Sequence, residues 1–423
     1  MKIKNQQKKI VEALKSFAEL KGITKEEIKK LLEESFQKAL NKEYENDLEN
    51  KEVMLPLFDI SINLDEGKIS IKRKWILTDK IISEEEINIK KNINDLNLEN
   101  LNVLENLKID DYYFEDIDLN AIEHDGFFLY VKQLFTQKVS EAEKVKIYEK
   151  FIDYKDQIVK AKVEKVALTH YLLSYQDNVI FLSKRETSKL DQFKFGDFVY
   201  VYITKIEKSS RDAQIIASRK NKEFIVKLLE KEIEDVADNV IRVEKIARQP
   251  GFKTKIIVSS SLEEVDPVGS IIGVKGQKIR PIIDELRGER IDIIEYSKDI
   301  DIQIARAVIP GKIIGTKKVS DEKYILVTEE KDFLSVLGKS GLNIKLVANL
   351  VDKKLDVKTK KMADEEKVSY HRIVIPTAYQ NRSNRKNFSK IVDENYDENY
   401  DLLEDLASIE EYDDYDQELD KRY

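Results

Sequence analysis

The stretch IIGVKGQKIR, residues 271–280, holds two glycines three positions apart, behind two isoleucines and ahead of two basic residues. A second stretch, VLGKSGLNIK at residues 336–345, repeats this pattern at a constant offset of 65 residues. One Gly-x-x-Gly is common in ordinary turns. Two in register, each between an apolar segment and an amphipathic helix, indicate a duplicated unit and favour a shared function over a structural turn.

A Gly-x-x-Gly that opens a helix suits contact with phosphate. The start of a helix presents unpaired N–H groups and a partial positive charge, and glycine lets a sugar-phosphate chain approach the backbone. Lys275 and Lys339 add one cation to each loop. These features predict the KH mode of single-stranded RNA binding. The candidate RNA-binding residues are Gly273, Val274, Lys275, Gly276, Gln277, Lys278, Arg280, Gly338, Lys339, Ser340, Gly341, Leu342, Asn343 and Lys345.

The pattern after residue 220 is helix, strand, strand, helix, helix, strand. Two strand-like runs, NVIRVEKIARQ and KTKIIVSS, are joined through Pro250 and Gly251, and RIDIIEYS reads as the last strand. This order predicts the type II form of KH. Pro281 falls inside the helix after the first glycine pair, where it either bends the helix or, near its first turn, costs little.

Residues 157–219 contain five short strand-like runs, which suit a small OB-type barrel. A generic β module is the alternative. The barrel aromatics Tyr171, Tyr175 and Phe181 either stack on bases or fill the core, and we favour the core.

The first 156 residues change from helical to strand periodicity and back. Thr24 is a good N-cap, and Glu27 three residues later completes a capping box. Two alternating runs around residues 65–67 predict a hairpin that carries Trp75 on its second strand. A loop-rich stretch at 90–113 and a long helix from 126 complete this region.

Composition excludes several classes of protein. The chain has no cysteine, and its three histidines lie far apart, so we expect no disulfide and no metal site. We also expect no cofactor and no catalytic residue. A P-loop would need glycine where Phe333 stands. No apolar run reaches the roughly 18 residues of a membrane span, and the N-terminus lacks the features of a secretory signal. We therefore expect a cytoplasmic protein without membrane contact.

Charge is distributed unevenly along the chain. Residues 391–423 carry fourteen Asp and Glu against Lys421 and Arg422, a net charge of −12 within a total of −8, so the rest of the chain carries +4. A basic body favours nucleic acid. The acidic tail is either a disordered solubilising segment or an autoinhibitory one that shields the basic surface.

The motifs resemble those of the NusA family of bacterial transcription elongation, termination and antitermination factors. The resemblance rests on DPVGSIIGVKGQKIRPIIDELRGERIDIIEYS at 266–297, VLGKSGLNIKLVANLVDKKLDVKT at 336–359 and IKRKWILTD at 71–79. It covers about residues 5–360. Ser340 and Leu342 depart from the basic or polar residues frequent in the family's second loop, which weakens the expected RNA contact there.

The resemblance implies an α+β multidomain fold. Its expected parts are an N-terminal RNA polymerase-binding head (α/β) at 1–156, an OB-fold barrel of the ribosomal S-one type at 157–219, tandem type II KH domains at 220–299 and 300–362, and a disordered basic-then-acidic tail at 363–423.

It also implies a non-enzymatic, monomeric factor whose partners are RNA polymerase, nascent single-stranded RNA and other antitermination factors. Such a factor modulates pausing, elongation, termination and antitermination. The alternative is an RNA-binding ribosome-maturation factor or RNA chaperone that does not act on polymerase.

Overall fold

The computed structural model describes residues 2–46, 56–83, 86–87, 89–92, 109–117, 126–208 and 214–373, with side chains from residue 9 to residue 43 in the first range. The described residues divide into two compact units. The first is drawn from Met1–Lys150 and Glu207–Arg211, and the second from Phe151–Ile206 and Asp212–Tyr423. The acidic stretch at 391–423, and with it the prediction of a disordered tail, lies outside the described residues.

The first unit packs helices against a small sheet. Its helices are α1 (Lys2–Leu20), α2 (Lys25–Asn46) and α3 (Phe127–Phe151), and its strands are β1 (Leu57–Asn63), β2 (Lys68–Thr78), β3 (Lys90–Asn92) and β4 (Tyr112–Asp116). The predicted hairpin is confirmed, because β1 and β2 pair antiparallel across the turn at 64–67. Strand β2 also pairs with β3 in parallel and with β4 antiparallel. Of the loop-rich stretch at 90–113, residues 93–108 lie outside the described part.

The predicted capping box at the start of α2 is confirmed. The Thr24 amide donates to Glu27 Oε2 at 2.8 Å, and the Glu27 amide donates to Thr24 Oγ1 at 3.4 Å. Glu27 Oε2 also accepts from Lys146 Nζ in α3 at 2.7 Å. One carboxylate therefore caps a helix and ties it to another helix of the same unit.

Five strands of the second unit close into a barrel. They are β5 (Ile158–Val166), β6 (His170–Tyr175), β7 (Asn178–Ser183), β8 (Phe198–Ile206) and β9 (Ile215–Ser218). They follow the order β5-β6-β7-β9-β8 around the barrel. The predicted five-stranded barrel is confirmed.

The first KH fold follows in the predicted order. It comprises α4 (Lys222–Glu232), α5 (Glu234–Ala237), β10 (Ile241–Gln249), β11 (Lys253–Ser260), α6 (Pro267–Ile272), a 3-10 turn (Val274–Gly276), α7 (Arg280–Glu285) and β12 (Arg290–Glu295). Strand β11 pairs antiparallel with β10 and parallel with β12. Pro281 lies in the first turn of α7, where a helix needs no N–H partner, so the helix does not bend around it.

The second copy repeats this order. It comprises α8 (Ile300–Ala307), β13 (Gly315–Lys318), β14 (Lys323–Thr328), α9 (Phe333–Leu337), a 3-10 turn (Lys339–Gly341), α10 (Leu342–Val351), β15 (Lys354–Thr359), α11 (Lys360–Glu365) and β16 (His371–Arg372). Strand β14 pairs antiparallel with β13 and parallel with β15.

The boundary expected at residue 362 falls inside regular structure. Helix α11 runs to Glu365, and β16 pairs antiparallel with β13. Residues 363–373 therefore differ from the predicted tail. Strand β16 adds to the edge of the second sheet, and a strand of two residues is too short to show a periodic pattern in the sequence.

The second unit has two successive apolar cores. Tyr202 of the barrel is buried together with the helices and sheet of the first KH fold. On the other face of that sheet, Ala247, Ile257 and Ile294 are buried with helices of the second KH fold. The barrel and the two KH folds thus share buried surfaces along the chain, which holds neighbouring modules in fixed positions.

Candidate RNA-binding site

The two Gly-x-x-Gly segments, Gly273–Gly276 (the first loop) and Gly338–Gly341 (the second loop), have the same backbone conformation. Gly273 has φ 72° and ψ 177°, and Gly338 has φ 71° and ψ 173°. This region is open almost only to glycine. A Cβ at Gly338 would lie 2.6 Å from Asn343 Cβ and 2.9 Å from the Asn343 amide nitrogen. The first glycine of each pair is therefore required by the turn itself.

The last glycine of the second loop has space beside it. Gly341 has φ 72°, and no heavy atom would lie within 4 Å of a Cβ placed there. The turn alone does not fill that side of the backbone. The open side leaves room for a ligand to approach the backbone, as the predicted contact with a sugar-phosphate chain requires.

The middle residues of both loops project into solvent. Val274 is 75% exposed, and Lys275, Lys339 and Ser340 are also exposed. An apolar side chain exposed at a loop tip, next to a cation, is suited to contact with the sugar and phosphate of a nucleic acid.

The residues that follow each loop differ in their placement. Gln277, Arg280 and Lys345 are exposed. Lys278 is exposed too, and its Nζ lies 3.6 Å from Asp235 Oδ2. Leu342 is half-buried against the core of the second KH fold.

Asn343 is placed differently from the prediction. It is 5% exposed, and its Nδ2 donates to the carbonyl oxygens of Val308 at 2.9 Å and Val336 at 3.1 Å. The side-chain amide thus links the residue that follows α8 to the segment that precedes the second loop. Asn343 therefore supports the second loop through its buried side chain. In the first loop, Gly276 is also buried, unlike the exposed position expected of a binding residue.

Three backbone amides at the end of the first loop and just after it donate to carbonyls within the turn. The amides of Gly276, Gln277 and Lys278 donate to the carbonyls of Gly273, Val274 and Ile272 at 3.3, 3.1 and 3.3 Å. The expectation of unpaired N–H groups at a helix start does not hold for these three residues. These three amides are therefore occupied, whereas the side chain of Lys275 is exposed to solvent.

A buried arginine joins the barrel to the first KH fold. Arg219 is 1% exposed, and its guanidinium lies 3.0 Å from Asp191 Oδ1 and 2.8 Å from Glu285 Oε1. Its Cζ is 5.1 Å from the ring centroid of Phe193 and 5.0 Å from that of Phe224. Sequence reasoning missed this residue, because arginine at the end of a strand is usually exposed.

A second arginine extends the joint. Arg248 forms a two-point contact with Glu289, at 2.8 and 2.9 Å. It also donates to the carbonyls of Arg219 and Asn221 at 2.7 and 2.9 Å. Bidentate pairs of this kind fix orientation as well as distance.

The aromatic residues of the barrel take different positions. Tyr171 is 5% exposed and belongs to the core. Tyr175 packs on Phe151, with ring centroids 6.3 Å apart. Phe181 is half-buried, and the centroid of its ring lies 5.0 Å from that of the His170 ring. Its position is compatible both with stacking on bases and with filling the core.

Charged and aromatic side chains of the first unit contact one another on its sheet. The Arg73 Cζ lies 3.8 Å from the centroid of the Trp75 ring, and Trp75 Nε1 donates to Glu115 Oε2 at 2.9 Å. The Lys74 Nζ lies 3.6 Å from the centroid of the Tyr112 ring. Cation–π contacts of this type are worth about 0.5–1 kcal/mol at exposed positions.

Among the described residues, no group of three His, Asp or Glu could hold a metal ion. Within the same ranges, no helix is long and apolar enough to cross a membrane.

Comparison with known proteins gives two family matches. The NusA N-terminal domain matches residues 9–145, and the NusA-like first KH domain matches residues 219–296. Together the two matches span just over half of the chain.

Curated relatives extend the match. The transcription termination/antitermination protein NusA of Bacillus subtilis (strain 168) is 35% identical over 235 residues, which cover 55% of this chain and 63% of that protein. The protein of the same name from Rickettsia conorii is 29% identical over 367 residues, 85% of this chain and 69% of that protein. The matched part of the chain thus spans 63% and 69% of the length of these two relatives.

Proposed function

Because the chain belongs to the NusA family, we propose that it is a non-enzymatic transcription factor that binds RNA polymerase and nascent single-stranded RNA in the cytoplasm. It modulates pausing, elongation, termination and antitermination as a monomer, by binding and placement, while polymerase performs the chemistry.

The observation that carries this proposal is the repeated loop. Two Gly-x-x-Gly turns with the same backbone angles present exposed residues from neighbouring KH folds. RNA recognition by KH folds uses such a loop to clamp about four nucleotides. Two clamps on one chain raise each other's effective concentration on the same RNA strand.

The domain limits support this division of work. The first unit, which contains the match to the NusA N-terminal domain, supplies residues 1–150 of the proposed polymerase-binding head at 1–156. The barrel at 157–219 and the KH folds at 220–299 and 300–373 form the proposed RNA-binding part. Binding to polymerase places this part beside the emerging transcript, and other antitermination factors are further proposed partners.

In vitro transcription through an intrinsic terminator tests the proposal. Pause lifetimes and the fraction of terminated transcripts are measured with and without the full chain. We expect longer pauses and a changed terminated fraction. Unchanged values at a saturating concentration of the protein would contradict a role in transcription.

Binding to purified RNA polymerase separates this function from that of a maturation factor or RNA chaperone. The full chain and a variant with Val274→Asp and Lys275→Asp are compared. We expect both to bind polymerase and only the unmodified chain to bind RNA tightly. RNA binding without polymerase binding would favour the alternative function.

A further inference from the structure

Lys255 is a charged residue at the centre of a buried interface. It lies on β11, its side chain is 0% exposed, and it faces the second KH fold together with Ile257 and Ile294. A lysine almost never reaches this degree of burial unless it is paired. Its partners therefore show what this position does.

The ammonium group has partners on both sides of the interface. Lys255 Nζ donates to Asp292 Oδ2 on β12 at 2.6 Å and to the carbonyl oxygen of Ile309 at 2.8 Å. Asp292 belongs to the first KH sheet, whereas Ile309 follows α8 of the second KH fold. The lysine thus connects the two folds through one nitrogen.

The pair is charged at neutral pH. Burial lowers the pKa of Lys255 to about 8, against the effect of Asp292. Burial acts to raise the pKa of Asp292, but Lys255 and Lys253 outweigh it, and that pKa lies below its ordinary value. The facing groups that titrate are Asp292 on β12 and Lys253 on β11.

The turn that accepts this bond also packs against the residues that flank the second loop. Val308, next to Ile309, accepts a hydrogen bond at 2.9 Å from Asn343, the second residue after the second loop. A Cβ at Gly311 would lie 2.6 Å from the backbone of Val336, just before that loop. The turn at 308–311 is therefore packed between Lys255 on one side and the supports of the second loop on the other.

We propose that Lys255 is a positioning residue, which fixes the second loop relative to the first through its bond to the Ile309 carbonyl. Apolar contact alone would hold the two KH folds together without fixing their relative orientation. A buried, directional, charge-assisted bond selects a single arrangement. The consequence for RNA rests on the proposed function, because the spacing of the two loops sets how well one strand engages both.

Lys253 provides a matched control. It also pairs with Asp292 Oδ2, at 2.9 Å, and within the described residues it makes no hydrogen bond to Ile309. Lys253→Met therefore removes one charge from the same carboxylate and leaves the bond across the interface intact. Lys255→Met keeps the length of the side chain but costs stability, because Asp292 loses one of its two cations. Asp292 is 26% exposed and keeps Lys253 as a partner, and circular dichroism checks that the variant is folded before the distances are compared.

The distance between the folds is measured without RNA. Because the chain has no cysteine, Glu263→Cys and Lys331→Cys place one spin label at an exposed position in each KH fold. We expect one narrow distance distribution in the otherwise unmodified chain and in Lys253→Met, and a broadened or shifted one in Lys255→Met. A Lys255→Met distribution that matches the unmodified chain would overturn the inference.

RNA binding gives the functional readout. An unstructured RNA of about 6 nucleotides can contact one loop, whereas one of about 30 nucleotides can contact both. We expect the unmodified chain to bind the longer RNA more tightly. We expect this advantage to fall about tenfold in Lys255→Met, with the shorter RNA and the Lys253→Met control unchanged. An advantage retained in Lys255→Met would contradict the positioning role. If the unmodified chain bound no RNA, the proposed function would be contradicted, and the distance measurement alone would test the role of Lys255.

Discussion

Lys275 in the first loop and Ser340 in the second hold the same left-handed backbone conformation, with φ 51° and ψ 28° for the lysine and φ 50° and ψ 28° for the serine. The two loops therefore share one backbone and differ in the charge at this position. Because a lysine already adopts these angles in the first loop, the second loop should accept one as well.

Ser340→Lys should strengthen RNA binding. The added cation sits at the position where the first loop has Lys275, and one further phosphate contact on a single strand steepens the salt dependence by about 0.7 in log–log slope. The affinity for single-stranded RNA is measured between low and high salt. Ser340→Gln adds length without charge and should leave the slope unchanged. Equal slopes for the lysine and glutamine variants would show that this position does not meet phosphate.

Asn343→Ala should destabilise the second KH fold. The substitution leaves the carbonyls of Val308 and Val336 without their amide donor, and unsatisfied buried groups cost about 1–3 kcal/mol. Thermal or urea unfolding measures the loss. Asn349→Ala, at an exposed position of the same helix, serves as the control. If both variants unfold alike, the amide of Asn343 does not support the loop.

Arg219→Met should loosen the joint between the barrel and the first KH fold. Removing one member of a buried ion pair costs about 3–5 kcal/mol, because Asp191 and the partly buried Glu285 lose their cation. The free energy of unfolding of the second unit is measured in urea. Lys220→Met, at the exposed neighbouring position, should change it by less than about 0.5 kcal/mol. A similarly small effect at Arg219 would mean that the carboxylates find other partners.

Glu27 makes the stability of the first unit depend on pH. The hydrogen bond from Lys146 is the main cause that lowers its pKa to about 2, with the Thr24 amide second. Since the folded pKa lies below the ordinary value of 4.5, this carboxylate stabilises the fold above about pH 4.5, and the contribution disappears as the pH falls towards 2.

Thermal unfolding of Glu27→Gln at several pH values tests this dependence. The unmodified chain should melt at a higher temperature than the variant at pH 6, the difference should shrink by pH 3, and the two should converge as the pH approaches about 2. Glu26→Gln, at the exposed adjacent position, should follow the unmodified chain throughout. A difference that stays constant from pH 6 to pH 3 would exclude an ionised Glu27 as the cause.

Local patterns in the sequence predict the elements and the loops well. The hairpin at 57–78, the capping box at Thr24 and the duplicated glycine loops all depend on residues close together in the chain, and the structure contains each of them. Pro281 also behaves as its position near a helix start suggests.

What links the modules could not be predicted in the same way. Arg219, Lys255 and Asn343 are polar residues whose burial depends on partners 19 to 66, 37 to 54 and 7 to 35 positions away, respectively. A single sequence shows no such pairing, and each side chain is of a type that is mostly exposed. The sequence therefore predicted the two glycine loops but not the residues that hold the loops in place.

The most direct test of the account is the affinity of single-stranded RNA for the chain with Val274→Asp and Lys275→Asp. Lys318→Asp with Val319→Asp makes the same change at an exposed Lys-Val pair outside both loops. In fluorescence anisotropy titrations at low salt, we predict roughly tenfold weaker binding for the loop variant and unchanged binding for the control, with both folded by circular dichroism. A folded loop variant that binds RNA as tightly as the unmodified chain would contradict the assignment of the first loop as an RNA clamp.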